Sequence, residues 1–336
     1  MVGLRSRATP EGQNPRVWNS DPGGPSANLP GVLGAKEGRG VWPIRAAWLG
    51  LPLIAGPVLG DALADASRPL QVVASAGAWS LWAGVLLATL VPRTVTLTVL
   101  RIAAPAALAA LALAVGRDAG TLWWQVVSLC WGALIVGIAF LPITGQSFVN
   151  GSAPGGELRL PLRVPGALVL GPIPVTWLVI VGVVGSGPLL LAARQWLAGG
   201  LVLALGLPAA LWSGLMLHRL ARRWVVLVPG GLVLHDPLTL ADPILLRRTG
   251  LARLGPAPAD TAALDLTAGA LGLAIEARLR SPVAFLLVKT AGATGAQPSE
   301  TVSSDALLFT PTRPGAFLAA AGSRRLMSTG TSRGSR

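Results

Sequence analysis

LWWQVVSLCWGALIVGIAFLPIT, running from Leu122 to Thr144, decides the fold. Its 23 residues contain no Asp, Glu, Lys or Arg. A helix of about 20 apolar residues, rising ~1.5 Å per residue, covers the ~30 Å hydrocarbon core of a bilayer. A helix on the surface of a soluble protein would carry a polar stripe along one face, and this run carries none.

The same reading extends in both directions. Five more stretches are long and apolar enough: Ala46 to Ala64, Leu70 to Pro92, Thr94 to Val115, Ala167 to Arg194, and Trp196 to Leu217. Pro52 and Pro57 in the first, and Pro172, Pro174 and Pro188 in the fifth, predict kinks. Composition agrees. The chain is 52% hydrophobic and 12% charged, about half the charge of an ordinary soluble domain, and its mean hydropathy is +0.62. The expected class is an α-helical integral membrane bundle of about six transmembrane helices.

Arg and Lys give the orientation, because cytoplasmic loops carry the excess of basic residues. With the N-terminus inside, the inner side holds Arg5, Arg7, Arg16, Lys36, Arg39, Arg45, Arg93, Arg159, Arg163, Arg219, Arg222 and Arg223. The outer side holds only Arg68, Arg117 and Arg194. Cell membrane, with both termini cytoplasmic, is the expected location. Trp42, Trp48, Trp123, Trp124, Trp196 and Trp224 fall near span ends, where interfacial anchors belong. The net charge of +13 is spread over loops and tails, so nucleic acid is not an expected partner. The first forty residues contain no apolar core of the kind a signal peptide needs, and residues 1–44 and 327–336 read as disordered tails. Cys130 is the single cysteine, inside an apolar run, and suggests a lipid- or helix-facing residue rather than a disulfide or metal ligand.

The transmembrane part spans 45–218, and beyond it the pattern shortens. Arg223 to Val228 and Leu232 to His235 flank a Pro-Gly-Gly turn and predict a hairpin. From Leu271 to Arg280, Leu273, Ile275, Ala277 and Leu279 share one strand face; Val283 to Lys289 reads as its partner across a Ser-Pro turn, and Ala306 to Phe309 as another strand. Thr312 to Arg325 predicts a helix capped by Thr312, apolar at Phe317, Leu318 and Ala321, with Arg324 and Arg325 complementing its dipole. Residues from about Arg222 to Leu326 hold enough apolar surface to predict a domain that folds alone. In the loop Gly145 to Pro165, the alternation from Glu157 to Val164 predicts a short strand or an extended interfacial segment.

Strands closed by one amphipathic helix give residues 219–326 the layout of a pleckstrin-homology-like (PH-like) domain. LLFTPTRPGAFLAAA, Leu307 to Ala321, resembles the closing strand and helix of bacterial PH-like domains. From about Val41 to Leu326 the chain also resembles a family of uncharacterised actinobacterial multi-pass membrane proteins, through VPRTVTLTVLRIAAPAAL (Val91 to Leu108), GQSFVNGSA (Gly145 to Ala153) and LVLHDPLTLADPILLRR (Leu232 to Arg248). That second resemblance implies a membrane location and no particular activity.

Few residues point to chemistry. With two histidines and 14 acids, there is no Ser-His-Asp set and no paired-carboxylate arrangement; no catalytic residue, metal or cofactor is expected. His235-Asp236 looks like a metal-hydrolase dipeptide, but Asp236 and Asp242, each before a proline, suit turns better. The glycines of Gly182-Val-Val-Gly-Ser-Gly suit helix packing. Arg101 lies within the third span, ~10–12 Å from its cytoplasmic edge, where it can snorkel, pair structurally or bind a substrate. Asp61 and Asp65 stand one turn apart at the outer end of the first span, as a solvated helix end or a cation-attracting pair. After residue 218 there are 14 basic and 7 acidic residues, and Arg222, Arg223, Arg247, Arg248 and Arg253 are the candidate contacts to anionic membrane lipids. The expected role is a non-enzymatic membrane-anchored binding or scaffolding protein. The competing expectation, from the intramembrane prolines, is a secondary transporter of a small or lipophilic solute.

Overall fold

The computed structural model describes residues 38–153, 155–288 and 299–326. Of the expected tail 1–44, residues 1–37 lie outside them, as do 327–336 and the strand end at Lys289; residues 38–44 are not a tail but helical, with Val41 and Ile44 buried. Among the described residues, six helices are long and apolar enough to cross a membrane. They are α1 (Trp42–Ala62), α2 (Arg68–Leu90), α3 (Thr94–Val115), α4 (Leu122–Phe140), the pair α6 (Gly166–Leu170) and α7 (Pro172–Ala192), and α8 (Trp196–Ala221). A short helix, α5 (Pro142–Asn150), follows α4.

Proline sets several of these boundaries. It occupies the first turn of α1, α2, α5 and α7, where its missing N–H costs nothing. The fourth apolar stretch therefore ends at Phe140 rather than at Thr144. Pro142 forces Leu141 out of helical geometry (ψ 136°) and starts a new helix. The fifth is broken at Gly171, before Pro172.

Side chains of α1, α3 and α4 share one core, including Ile44, Trp48, Leu100, Ala104 and Ile135, and α5 closes it with Phe148 and Val149. Trp48 is no interfacial anchor: it is fully buried, and its indole N–H donates to the Trp82 carbonyl while the Trp82 indole donates to the Trp48 carbonyl, both at 2.9 Å. Trp131 donates likewise to Ala47 and Trp177 to Ile102. Where no water competes, such bonds hold neighbouring helices in register. In α7 and α8, Gly187 lies against Leu203 and Gly206 against Val183, so that a methyl at either position would collide. Of the Gly182–Gly187 glycines only Gly187 makes such a contact; Gly182 and Gly185 face open space. Cys130 is exposed on α4.

Two four-stranded sheets and a helix, α9 (Pro314–Ser323), form the C-terminal unit. The first sheet has the order β1 (Leu158–Pro161), β2 (Trp224–Val228), β3 (Gly231–His235), β4 (Ile244–Arg247), antiparallel throughout. The second has the order β5 (Leu251–Pro256), β7 (Ile275–Val288), β8 (Ser299–Phe309), β6 (Leu264–Asp265), with β6 parallel to β8. Between the sheets, Leu160, Leu227, Leu234, Ile275 and Phe309 meet Phe317 of α9. Phe309 and Phe317 pack edge to face at 5.4 Å.

Four differences from the sequence reading have physical causes. First, β1 comes from the loop before α6, so the unit draws Leu158, Leu160 and Leu162 from outside 219–326. Second, the chain does not turn at Ser281-Pro282. β7 runs through it, and a register shift between Arg278 and Val283 places the proline in a bulge, where a strand tolerates it. Third, Thr312 does not cap α9; its hydroxyl donates to the Pro161 carbonyl, stitching the helix start to β1. Fourth, Arg324 lies beyond the helix and donates to the Leu227 carbonyl of β2.

Candidate functional site

Alternation along β1, β2 and β3 sends Leu158, Leu160, Val225, Leu227, Leu232 and Leu234 into the core. The opposite face carries Arg159, Trp224, Val226, Val228, Val233 and His235. With Glu157, Arg222 and Pro243, these residues line an open groove of about 230 Å³. Trp224 and His235 are register partners, and their rings stack at 5.1 Å with 26° between planes. The Arg159 guanidinium lies over the Trp224 ring at 5.8 Å and pairs with Glu157 at 3.3 Å. Arg222, the residue after α8, is exposed at the rim.

Asn150, at the end of α5, fixes β1 from outside. Its amide accepts from the Arg159 N–H at 2.8 Å and donates to the Arg159 carbonyl at 2.7 Å, as a neighbouring strand would. Asn150 thus acts as an edge clamp on β1. From the same helix Gln146 accepts from Arg313 at 2.8 Å, just ahead of α9.

His235 carries the unusual chemistry. Its Nε2 is buried without a hydrogen-bond partner among the described residues. Burial pushes its pKa down, Arg222 and Arg159 push it further, and Asp236 opposes them. The neutral imidazole is therefore favoured, with Nε2 enclosed beneath the groove. Two guanidiniums, one carboxylate and a half-buried indole beside valines together suit a small anionic group carried on an apolar body.

The candidate lipid contacts separate. Arg222 reaches the groove. Arg223 does not reach the surface: it is 2% exposed and bound to Asp236 through Nε–Oδ1 (2.7 Å) and Nη2–Oδ2 (2.6 Å), which rules it out as a lipid contact. Arg247 pairs in register with Gly231, at the opposite end of the sheet from Trp224 and His235, and Arg248 follows it there. Arg253 lies exposed on β5, across from Arg278.

Of the intramembrane candidates, Arg101 is taken up by the end of α4: its Nε donates to the Ala139 carbonyl at 3.4 Å and its guanidinium lies over Phe140 at 5.4 Å. A cation at a helix C-terminus is stabilised by the helix dipole. Asp61 accepts from the Gly120 N–H at 2.6 Å, tying α1 to the loop before α4, while Asp65 lies in the turn after α1. No cluster of three or more His, Cys, Asp or Glu side chains suited to a metal occurs among the described residues.

Sequence reasoning missed Arg159, Trp224 and His235 as a group. The available signal was the Glu157 to Val164 alternation, which needed a partner strand some 65 residues away. Compared with known proteins, the chain matches no family model, no curated protein and no solved structure.

Proposed function

We propose that this chain is a multi-pass protein of the cell membrane with both termini cytoplasmic, and that its β unit binds an anionic membrane lipid at the inner surface. The role is that of a non-enzymatic membrane-anchored binding or scaffolding protein. The carrying observation is the groove of Arg159, Arg222, Trp224 and His235, opening where the chain leaves α8. A groove beside the end of the last long apolar helix is open to head groups at the membrane surface, and the indole and valines along it offer an apolar wall. The basic excess on the β-unit side fits an inner leaflet, which is anionic. Two sheets closed by α9 support the PH-like layout.

The test is native mass spectrometry of the full chain released from membranes of mixed lipid. Anionic phospholipid should be retained over zwitterionic. Each arginine contributes ~1 kcal/mol near an anionic surface, so a double Arg159→Gln, Arg222→Gln variant should bind about thirtyfold more weakly. Equal retention of both lipid classes, unchanged in that variant, would remove the reading.

A further inference from the structure

The loop between β6 and β7, Thr267 to Ala274, carries Leu271 and Leu273 to the outside, 77% and 47% exposed. It is an ordered turn. Asp265 Oδ1 accepts from the Thr267 N–H at 2.7 Å, and Ala270 N–H donates to the Thr267 carbonyl at 3.1 Å. Ala268, Gly269 and Gly272 hold positive φ (54°, 74° and 124°), so the backbone is bent back on itself with both leucines projecting. Single exposed leucines are ordinary on protein surfaces. This pair is set apart by where it stands. The Leu271 side chain lies against Gly166, within 3.9 Å of where a methyl there would sit, and Gly166 begins the fifth long apolar helix. Beside it Val169 and Leu170 are also exposed, Leu170 at 88%. Leu271 thus extends the apolar surface of that helix sideways, and Leu273 is exposed on the same loop. The Arg163 guanidinium, packed against Gly272, sits where a snorkelling cation would.

We infer that this loop enters the bilayer interface, with Leu271 and Leu273 among the upper acyl chains and Arg163 at the level of the phosphates. The inference rests on the membrane reading above and adds a second, apolar point of attachment, independent of the groove. The occupant is lipid. A second copy of the chain would have to seat its own apolar surface at the same depth.

Single-cysteine variants of the full chain in a Cys130→Ser background, reconstituted in nanodiscs and labelled with an environment-sensitive fluorophore, test it. Leu271→Cys and Leu273→Cys should show blue-shifted emission, quenched by lipids spin-labelled near the head group and protected from iodide. Leu205→Cys, on the exposed face of α8, is the internal control and should be quenched by lipids labelled deep in the chain. Failure at Leu205 overturns the membrane reading itself. With Leu205 quenched as expected, iodide quenching at 271 and 273 overturns the loop inference alone. Protection from both quenchers also overturns it, and assigns the loop to a protein contact.

Discussion

Arg223 and Asp236 form a two-pronged ion pair in the interior of the β unit, at 2.7 and 2.6 Å. The third prong of Arg223, Nη1, donates to the Arg163 carbonyl at 2.8 Å. Asp236 also accepts from the Leu238 N–H at 3.1 Å, closing the turn after β3. One guanidinium therefore joins the chain about to enter the fifth long helix, the chain just out of the sixth, and the end of β3.

Breaking a buried pair leaves an uncompensated charge and costs about 3–5 kcal/mol, whereas replacing both partners by apolar residues can be neutral. Arg223→Ala and Asp236→Ala should each lower the unfolding midpoint of the β unit strongly, while Arg223→Met with Asp236→Leu recovers much of the loss. Thermal unfolding of the purified full chain measures this. Single variants as stable as the parent would mean that the pair does not hold the junction.

His235 gives a pH dependence with a defined sign. Its folded pKa lies below the ordinary value, chiefly through burial and then through Arg222. Between that pKa and about 6.5 the unfolded chain binds the extra proton, so stability falls as the pH drops below about 6.5 and levels off further down. His235→Phe should flatten that slope in melts taken between about pH 5 and 8. Glu276 acts in a separate, lower window. The Thr261 hydroxyl and then Arg278 hold its carboxyl below the ordinary value against its burial, so its contribution is full above about 4.5 and lost as the pH falls through its folded pKa. A slope unchanged in His235→Phe would place the titration elsewhere.

How far the sequence could reach is plain from these residues. Six apolar runs, the β2–β3 hairpin and the apolar face Phe317, Leu318 and Ala321 follow from local periodicity, and local periodicity is legible. Pro142 as the end of α4 was legible too, but hydropathy carried the reading past it. The Pro282 bulge was not, because Ser-Pro signals a turn equally well and only pairing with β8 decides between them. Nor was the site: Arg159 and His235 are brought together by a strand inserted between two long helices, and Arg223, which reads as a surface charge, is a core residue because Asp236 waits for it 13 positions on.

Topology is tested by the β1–β2 pairing. The segment 158–161 and the chain after Arg222 must share one side, since Leu158 pairs with Leu227 and Pro161 with Trp224. Reporters inserted after Gly155 and fused after Leu326 should both be active in the cytoplasm, and one at Arg117 outside. Opposite sides for the first two would break the six-helix arrangement.

The reciprocal bonds of Trp48 and Trp82 predict coupling between α1 and α2. Trp48→Phe removes the donor to the Trp82 carbonyl and shrinks a fully buried side chain; loss of the interhelical bond itself costs about 0.5–1.5 kcal/mol. The double Phe variant should cost less than the sum of the singles if the two bonds act together. Detergent-resistance melts of the four members of the cycle give the coupling, and strict additivity would show that the bonds are independent.

The independent folding expected of 219–326 is changed by β1. Leu158, Leu160 and Leu162 are all buried in the β-unit core, and the Leu162–Pro311 bridge with the Arg163 N–H to Thr310 bond joins the two sheets through this segment. Without it three leucine sites open, each worth about 1.5–3 kcal/mol, and β2 becomes a bare edge. A domain has only about 5–15 kcal/mol in hand, so the loss is comparable with the whole. An isolated 219–326 fragment should therefore unfold without a cooperative transition or aggregate. The same fragment preceded by residues 157–163 on a flexible glycine linker should regain a sharp urea transition. Restoring Leu158 and Leu160 as Ser in that fusion should undo the rescue, which separates burial from mere strand pairing. A bare fragment as stable as the fusion would show that the loop strand only docks on a domain already complete without it.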